Sequence, residues 1–259
     1  MRLALKHFIY APDVAKNFAA HFSPLIPTLE DGKQVLDFSR HGTLHTYVKS
    51  GAQFEMASLP EEAEAIESYF HWYTPKPGDT VFDIGAHCGV STYHFSKLVG
   101  PSGRVVAFEP DPLNFPLLLR NIERHDLTNV TPVQIAIAGT RGKLAFNAEG
   151  ATGSGLAHTL PRASVGDVVL VEAITLEDAF TNWGTPQLCK IDIEGSEIEV
   201  ISAAAPHLSH RACEFVLDTS HIVDGAPTAR HIEDLFRSCG YEASTSNFGL
   251  ETTWAHPSV

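Results

Sequence analysis

The sequence lacks several features that would each announce a class of protein. Its four cysteines, Cys88, Cys189, Cys213 and Cys239, fall in no CxxC pair. Zinc ribbons and thioredoxin-like redox pairs are therefore unsupported, and a chain of 259 residues has no need of a disulfide framework. Long hydrophobic runs are missing too, so no segment is expected to span a bilayer. The N-terminal stretch MRLALKHFIYAPDVAKNF is interrupted by histidine, lysine and aspartate, unlike the apolar core of a secretory signal. Basic residues are few, with 18 lysines and arginines against 31 aspartates and glutamates, a formal charge of −13. Neutralisation of phosphates dominates nucleic-acid affinity, so neither nucleic acid nor an anionic membrane is an expected partner. The 14 histidines form no HExxH pattern. A cytoplasmic location is the expectation.

What is present is a rhythm. From Thr80 onward TVFDIG, RVVAFEP and VTPVQIAIA read as strands, separated by the helical GVSTYHFSKLV and PLNFPLLLRNIERH. The alternation resumes with TLEDAFTNW, QLCKIDI, SEIEVISAAAPHL, CEFVLDT and TARHIEDLFRSCG, and YEASTS-NFG-LETTWA reads as a terminal hairpin. Strands and helices alternating in this way predict an α/β fold, a Rossmann-like and mostly parallel sheet with an antiparallel C-terminal hairpin. Between them RGKLAF and VVLVEAI read as strands flanking a glycine-rich loop over 147–166. Residues 1–59 are expected to form an extension. It comprises a helix near Asp13–Phe22 and a hairpin of QVLDF with LHTYVKS, in front of a domain over 60–259. Its exposed edge makes a homodimer possible.

The turn VFDIGAHCGVST has glycines at 85 and 89 but neither GxGxxG nor GxxxxGK[ST]. It is tight, yet matches no phosphate-binding motif. Asp83 ends the first strand, where a carboxylate repels pyrophosphate and attracts a cation. Glu109 ends the second, where an acid takes ribose hydroxyls in nucleoside-binding sheets. A ligand with a ribose, a positive group and no phosphate is S-adenosylmethionine.

PGDTVFDIGAHCGVST, GRVVAFEPDPLNFPLLLRNIE and LCKIDIEGSEIEVI, in that order, resemble the FkbM-type methyltransferases over roughly residues 60–220. The resemblance implies a class I S-adenosylmethionine fold and, mostly, O-methylation of sugars or natural-product hydroxyls. It places Asp83, Gly85 and Gly89 on the cofactor's methionine side, with Ala86, His87, Ser91 and Thr92 also among the cofactor-binding residues. Glu109, followed by Pro110, Asp111 and Asn114, takes the ribose, and Ala136 at the end of the third strand lies near the adenine. The family usually has asparagine where this chain has His87, which puts the detail and pH dependence of that contact in question.

By strand alternation Lys190, Asp192 and Glu194 share one face, and Glu197 falls in the first turn of the next helix. Asp192 or Glu194 is the expected base for a hydroxyl acceptor, with Asp192 also toward the cofactor, Lys190 orienting the base or stabilising alkoxide charge, and His221 an alternative base. A salt-bridge network between strand and helix explains the same residues. Asp192, Glu194, Asp218 and His221 also suit Mg²⁺, which is possible but not predicted. The expected activity is methyl transfer to a small hydroxylated molecule. The rivals are a nicotinamide oxidoreductase, a non-catalytic cofactor-binding module and a scaffold that binds a partner through the N-terminal hairpin.

Overall fold

In a computed structural model of the chain, the described residues are 22–23, 43–47, 51–56, 63–150, 154–159 and 167–258, except 224, 248 and 249. The elements begin with β1 (Phe22–Ser23), β2 (Thr43–Tyr47), β3 (Gln53–Met56) and α1 (Ala63–Phe70). There follow β4 (Thr80–Ile84), α2 (Val90–Val99), β5 (Arg104–Phe108), α3 (Phe115–Arg124), β6 (Val130–Val133) and β7 (Ala136–Ile137). The middle holds β8 (Gly142–Ala148), β9 (Gly155–Leu156), β10 (Asp167–Ile174) and α4 (Leu176–Trp183). The last third comprises β11 (Leu188–Ile191), α5 (Glu197–Leu208), β12 (Glu214–Asp218), β13 (Ile222–Val223), β14 (Ala226–Pro227), α6 (Ala229–Ser238), β15 (Tyr241–Ser246) and β16 (Thr252–Pro257).

Seven strands form one sheet in the order β15-β16-β12-β11-β4-β5-β6. Five of them are parallel, while β16 runs antiparallel to β12 and β15 antiparallel to β16. The parallel strands read as apolar runs because both of their faces are covered. On one face Phe82, Ile84, Phe108, Ile191 and Leu217 pack with Ile201 and Phe236 of α5 and α6. On the other Val81, Val105, Leu188 and Val216 pack with Tyr69 of α1 and with Phe95 and Val99 of α2. All four cysteines are buried free thiols, acting as small apolar groups.

The strand order reverses between β4 and β11. The chain leaves β4 toward β5 on one side and leaves β11 toward β12 on the other, so the loops at their carboxyl ends diverge around a crevice. Gly85 sets how closely the two loops approach. It has φ 78°, and a Cβ there would collide with the carbonyl oxygen of Asp192. The tightness read from the glycine spacing is thus used first for contact between protein loops.

Two expectations need correction. VTPVQIAIA is not one strand: β6 ends at Val133, and β7 leaves the main sheet to pair in parallel with β10. A local bond from Ile135 N–H to Val133 O and another from Ala138 N–H to Ile174 O redirect the chain. Ala136 therefore lies in the second sheet, β7-β10-β8-β9, and packs with Phe146 and Val171 rather than ending a strand of the main sheet. In the N-terminal extension β2 pairs antiparallel with β3; the expected partner QVLDF lies outside the described residues, as does the Asp13–Phe22 helix except for Phe22, which belongs to β1.

The β3 strand docks on α3. Phe54 and Met56 are buried, and the Asn121 amide accepts from Glu55 N–H at 2.7 Å and donates to the carbonyls of Glu55 and Cys88 at 2.8 Å each. This holds the Cys88 carbonyl, and with it the turn after β4, from behind.

Gly85→Ala is expected to destabilise the protein by about 3 kcal/mol or more, because backbone must move. Gly142→Ala, also at positive φ but with nothing within 4 Å of the added carbon, is expected to cost about 1 kcal/mol. Urea denaturation midpoints check the pair.

Candidate active site

Parallel register places Lys190 of β11 directly beside Asp83 of β4. Both side chains are fully buried, with Nζ 3.3 Å from Asp83 Oδ1. The ammonium also donates to Gly85 O at 2.8 Å and lies 5.3 Å from the centre of the Tyr69 ring. Asp83 Oδ2 accepts from Ser91 Oγ at 2.9 Å and Thr92 Oγ1 at 2.6 Å, in the first turn of α2. Asp83, Ser91 and Thr92 are therefore bound to one another beneath the turn. Ala86, also buried, packs against Ala107 and Leu118. These residues shape the binding loop from below.

Glu109 faces the loop from the next strand end. Its Oε2 accepts from His87 N–H at 2.7 Å and its Oε1 from Asp111 N–H at 2.9 Å. Burial pushes this carboxyl up to about 8, against the opposing effect of the two N–H donors. His87 has φ 51°, a left-handed conformation that asparagine and histidine tolerate better than most residues. This accounts for histidine at a position where asparagine is usual. Burial and the charge of Lys190 lower His87 to about 4, so its ring is neutral near pH 7 and titrates well below that range.

Pro110, Asp111 and Asn114 follow Glu109, with Asp111 and Asn114 buried. Asp111 serves as an anchor. Its Oδ2 accepts from Gly150 N–H at 3.0 Å and Ser154 Oγ at 2.6 Å, and its Oδ1 from Leu113 N–H at 2.7 Å. At the far end of the same segment Thr159 Oγ1 meets Ser196 Oγ at 3.3 Å, and His158 Nε2 lies 2.9 Å from Glu199. Residues 154–159 thus run from the Glu109 side to the start of α5.

The third cluster follows β11. Alternation holds for Lys190 and Asp192, whose Nζ and Oδ2 are 3.8 Å apart. It fails at Glu194. The strand ends at Ile191, and Glu194 sits in a turn with φ 57°. That turn carries Glu194 Oε2 to 3.6 Å from His221 Nε2, while Glu197 Oε1 lies 3.4 Å from His221 Nδ1. Burial disfavours the charged imidazole, but the two flanking carboxylates outweigh it and hold His221 up to about 12. The two carboxylates thus favour the protonated ring, which in that form donates rather than accepts a proton. Burial raises Glu194 as well, and burial with the nearby Asp192 charge raises Asp218 to about 6.

Tyr69 is a residue that the sequence does not single out. Its hydroxyl donates to Asp192 Oδ2 at 2.9 Å, yet it reads as one aromatic position of an amphipathic helix. The sequence places Glu197 in the first turn of the helix after β11, beside the Lys190 cluster. An acid in a first helical turn is common, and only the fold shows that its side chain is fully buried.

The sequence matches the Methyltransferase FkbM domain over residues 83–243. The chain belongs to the FkbM methyltransferase family. It is 27% identical over 186 residues to the 31-O-demethyl-FK506 methyltransferase FkbM of Streptomyces tacrolimicus, covering 60% of this chain and 70% of that one. A shorter match, 28% identical over 106 residues, links it to the tRNA (adenine(58)-N(1))-methyltransferase catalytic subunit TRM61 of Yarrowia lipolytica. That match takes in 39% of this chain and only 27% of TRM61. Among solved structures, the methyltransferase FkbM of Methylobacillus flagellatus KT superposes with a TM-score of 0.54 at 15% identity, over 74% of this chain and 48% of that one. The precorrin-6y C5,15-methyltransferase of Geobacter metallireducens GS-15 superposes with a TM-score of 0.52 at 16% identity, over 77% and 90%. The fold is that of class I methyltransferases, and the family's cofactor is S-adenosylmethionine.

The residues present fit that cofactor. Each Glu109 oxygen accepts one N–H and keeps a second lone pair for a ribose hydroxyl. Asp192 and Glu194, both partly exposed, place carboxyl groups where a cationic ligand would be attracted.

Two predictions follow from burial. Lys190→Met leaves the Asp83 charge enclosed without its partner and is expected to cost about 3–5 kcal/mol in urea denaturation. For Glu109, the folded protein keeps a proton that the unfolded chain, with the ordinary value of 4.5, has released. Stability then falls as pH climbs from 4.5 through 8. Compared across that range, Glu109→Gln should gain on the wild type as pH rises; parallel curves would contradict the buried acid.

Proposed function

We propose that this chain transfers the methyl group of S-adenosylmethionine to a hydroxyl oxygen of a small molecule, a sugar or natural-product alcohol. The observation that carries this reading is the setting of Asp192. Its side chain is 18% exposed while its neighbours Lys190 and Asp83 are fully buried, so it is the carboxylate that reaches the crevice from a fixed base. Tyr69 and Lys190 both hold its Oδ2, and neither contact uses Oδ1.

Bound in the crevice, the cofactor supplies an electrophilic methyl group on a sulfonium. Glu109 would hold its ribose, and the turn from Gly85 to Gly89 would lie along its methionine part. The chain's remaining task is to present an oxygen nucleophile in line and to remove its proton. Asp192 is placed to take that proton, with Glu194 the neighbouring carboxylate. Lys190 orients Asp192 from below and is too enclosed to touch an acceptor. The same enclosure counts against a role for Lys190 in stabilising alkoxide charge directly.

The printed name of the Streptomyces tacrolimicus relative describes methylation at an oxygen of a natural product, which supports oxygen as the acceptor here. The name of the Yarrowia lipolytica relative describes methylation at a tRNA adenine nitrogen. A charge of −13 makes a polyanionic acceptor the weaker reading.

Isothermal titration with S-adenosylhomocysteine is expected to show one site of micromolar affinity. Glu109→Ala should weaken it about tenfold or more, which corresponds to about 1.4 kcal/mol. Absence of binding by folded wild-type protein would overturn the reading.

A further inference from the structure

Asp192, Glu197 and His221 come from three separate places in the fold: the end of β11, the first turn of α5 and the loop after β12. One donor atom from each lies within 4.8 Å of the others. A salt-bridge network would explain such a group if its members were hydrogen-bonded to one another. They are not well joined. His221 Nδ1 stands 3.4 Å from Glu197 Oε1 and forms no hydrogen bond, whereas charge-assisted pairs close to about 2.7–2.9 Å. Glu197 Oε1 is used by Ile193 N–H at 2.9 Å. Its Oε2 is enclosed with no hydrogen-bond partner, on a side chain that is fully buried. A carboxyl oxygen sealed from water and left unpaired is costly. It indicates a ligand that the protein chain itself does not supply.

The geometry points to a divalent-cation site built from Asp192, Glu197 and His221. Around a six-coordinate ion with bonds of about 2.1 Å, neighbouring donors are about 3 Å apart and opposite donors about 4.2 Å. The spacing of 3.4 Å between His221 Nδ1 and Glu197 Oε1, and the 4.8 Å limit on the whole group, require only a small contraction to meet that geometry. One imidazole nitrogen with two carboxylates is a mixed donor set. It suits Mn²⁺ better than Mg²⁺, which prefers oxygen and water throughout. The ion would take the place of the ring proton at Nδ1, so binding releases one proton, while Glu194 lies on the other ring nitrogen of His221, where it orients the imidazole as outer carboxylates do at metal sites.

The ion's place in methyl transfer rests on the proposed function above. Three protein donors leave coordination positions open on the side of Asp192 that faces the crevice. An acceptor hydroxyl bound there would be acidified by the cation, would pass its proton to the Asp192 oxygen that does not hold the ion, and would lie near the cofactor's methyl group. Acceptors with two adjacent hydroxyls would bind best, since they can fill two positions.

The test is Mn²⁺ titration of the full, chelator-treated chain, followed by electron paramagnetic resonance. One saturable site below about 1 mM is expected, with nitrogen modulation of the bound-ion echo from the His221 ring. Glu197→Gln keeps the side-chain shape and should weaken Mn²⁺ binding tenfold or more. Glu199→Gln, on the same helix but paired to His158, should leave it unchanged. No saturable binding, or binding without nitrogen modulation, would overturn the site, and the modulation needs no variant to fold. S-adenosylhomocysteine titrated into the same samples separates the two ideas. If it binds while Mn²⁺ does not, the cation alone is overturned; if Mn²⁺ binds and it does not, the cation stands and the methyltransferase reading falls.

Discussion

Lys190 and Asp83 lie side by side on adjacent parallel strands, and neither has any exposed side-chain surface. Removing two charges from water is expensive, and the expense is offset where the ions also gain further hydrogen bonds. Here the ammonium reaches the Gly85 carbonyl and the Tyr69 ring, and the carboxylate reaches two hydroxyls of α2. One ion pair therefore fixes four things together: the register of β11 on β4, the path of the turn after β4, the start of α2 and the seat of α1. A one-residue slip between β4 and β11 would separate both charges from their partners. Such a slip is excluded far more strongly than apolar packing alone would exclude it.

The crevice above this pair is built by division of labour. Side chains below the strand ends are consumed by internal bonds and give the loops their shape. Those at the rim retain unused bonding capacity: Glu109 toward the β5 side and Asp192 with Glu194 toward the β12 side. The segment 154–159 joins these two regions, holding Asp111 at one end and Ser196 at the other. Two regions that sequence separates by about eighty residues thus share a roof as well as a floor.

The main sheet is legible in the sequence because strands covered on both faces must be apolar throughout, and TVFDI, RVVAF, LCKI and EFVLD are nearly so. The break inside VTPVQIAIA is not legible, since apolar pattern is the same whether a run continues one sheet or crosses to another. Backbone hydrogen bonds around Ile135 decide that. Alternation correctly puts Lys190 and Asp192 on one face, then fails at Glu194, where a left-handed turn replaces the strand. Tyr69 carries no local signal at all: its importance comes from a partner 123 positions away. The charged residues found by motif are therefore in the right place, while their partition into supporting and reactive groups needed the fold.

His87 and Glu194 are both held at positive φ without being glycine, and both border the crevice. Such backbone costs an ordinary side chain of order 1 kcal/mol or more relative to glycine. At Glu194 the adjoining His221 recovers part of that cost; at His87 the side chain gains no charge in return near neutral pH. A population of variants screened for thermal tolerance alone would accordingly drift toward glycine at these two sites, and would do so first at 87. Among the described residues that border the crevice, heat resistance and chemical competence thereby pull apart at these two loop positions.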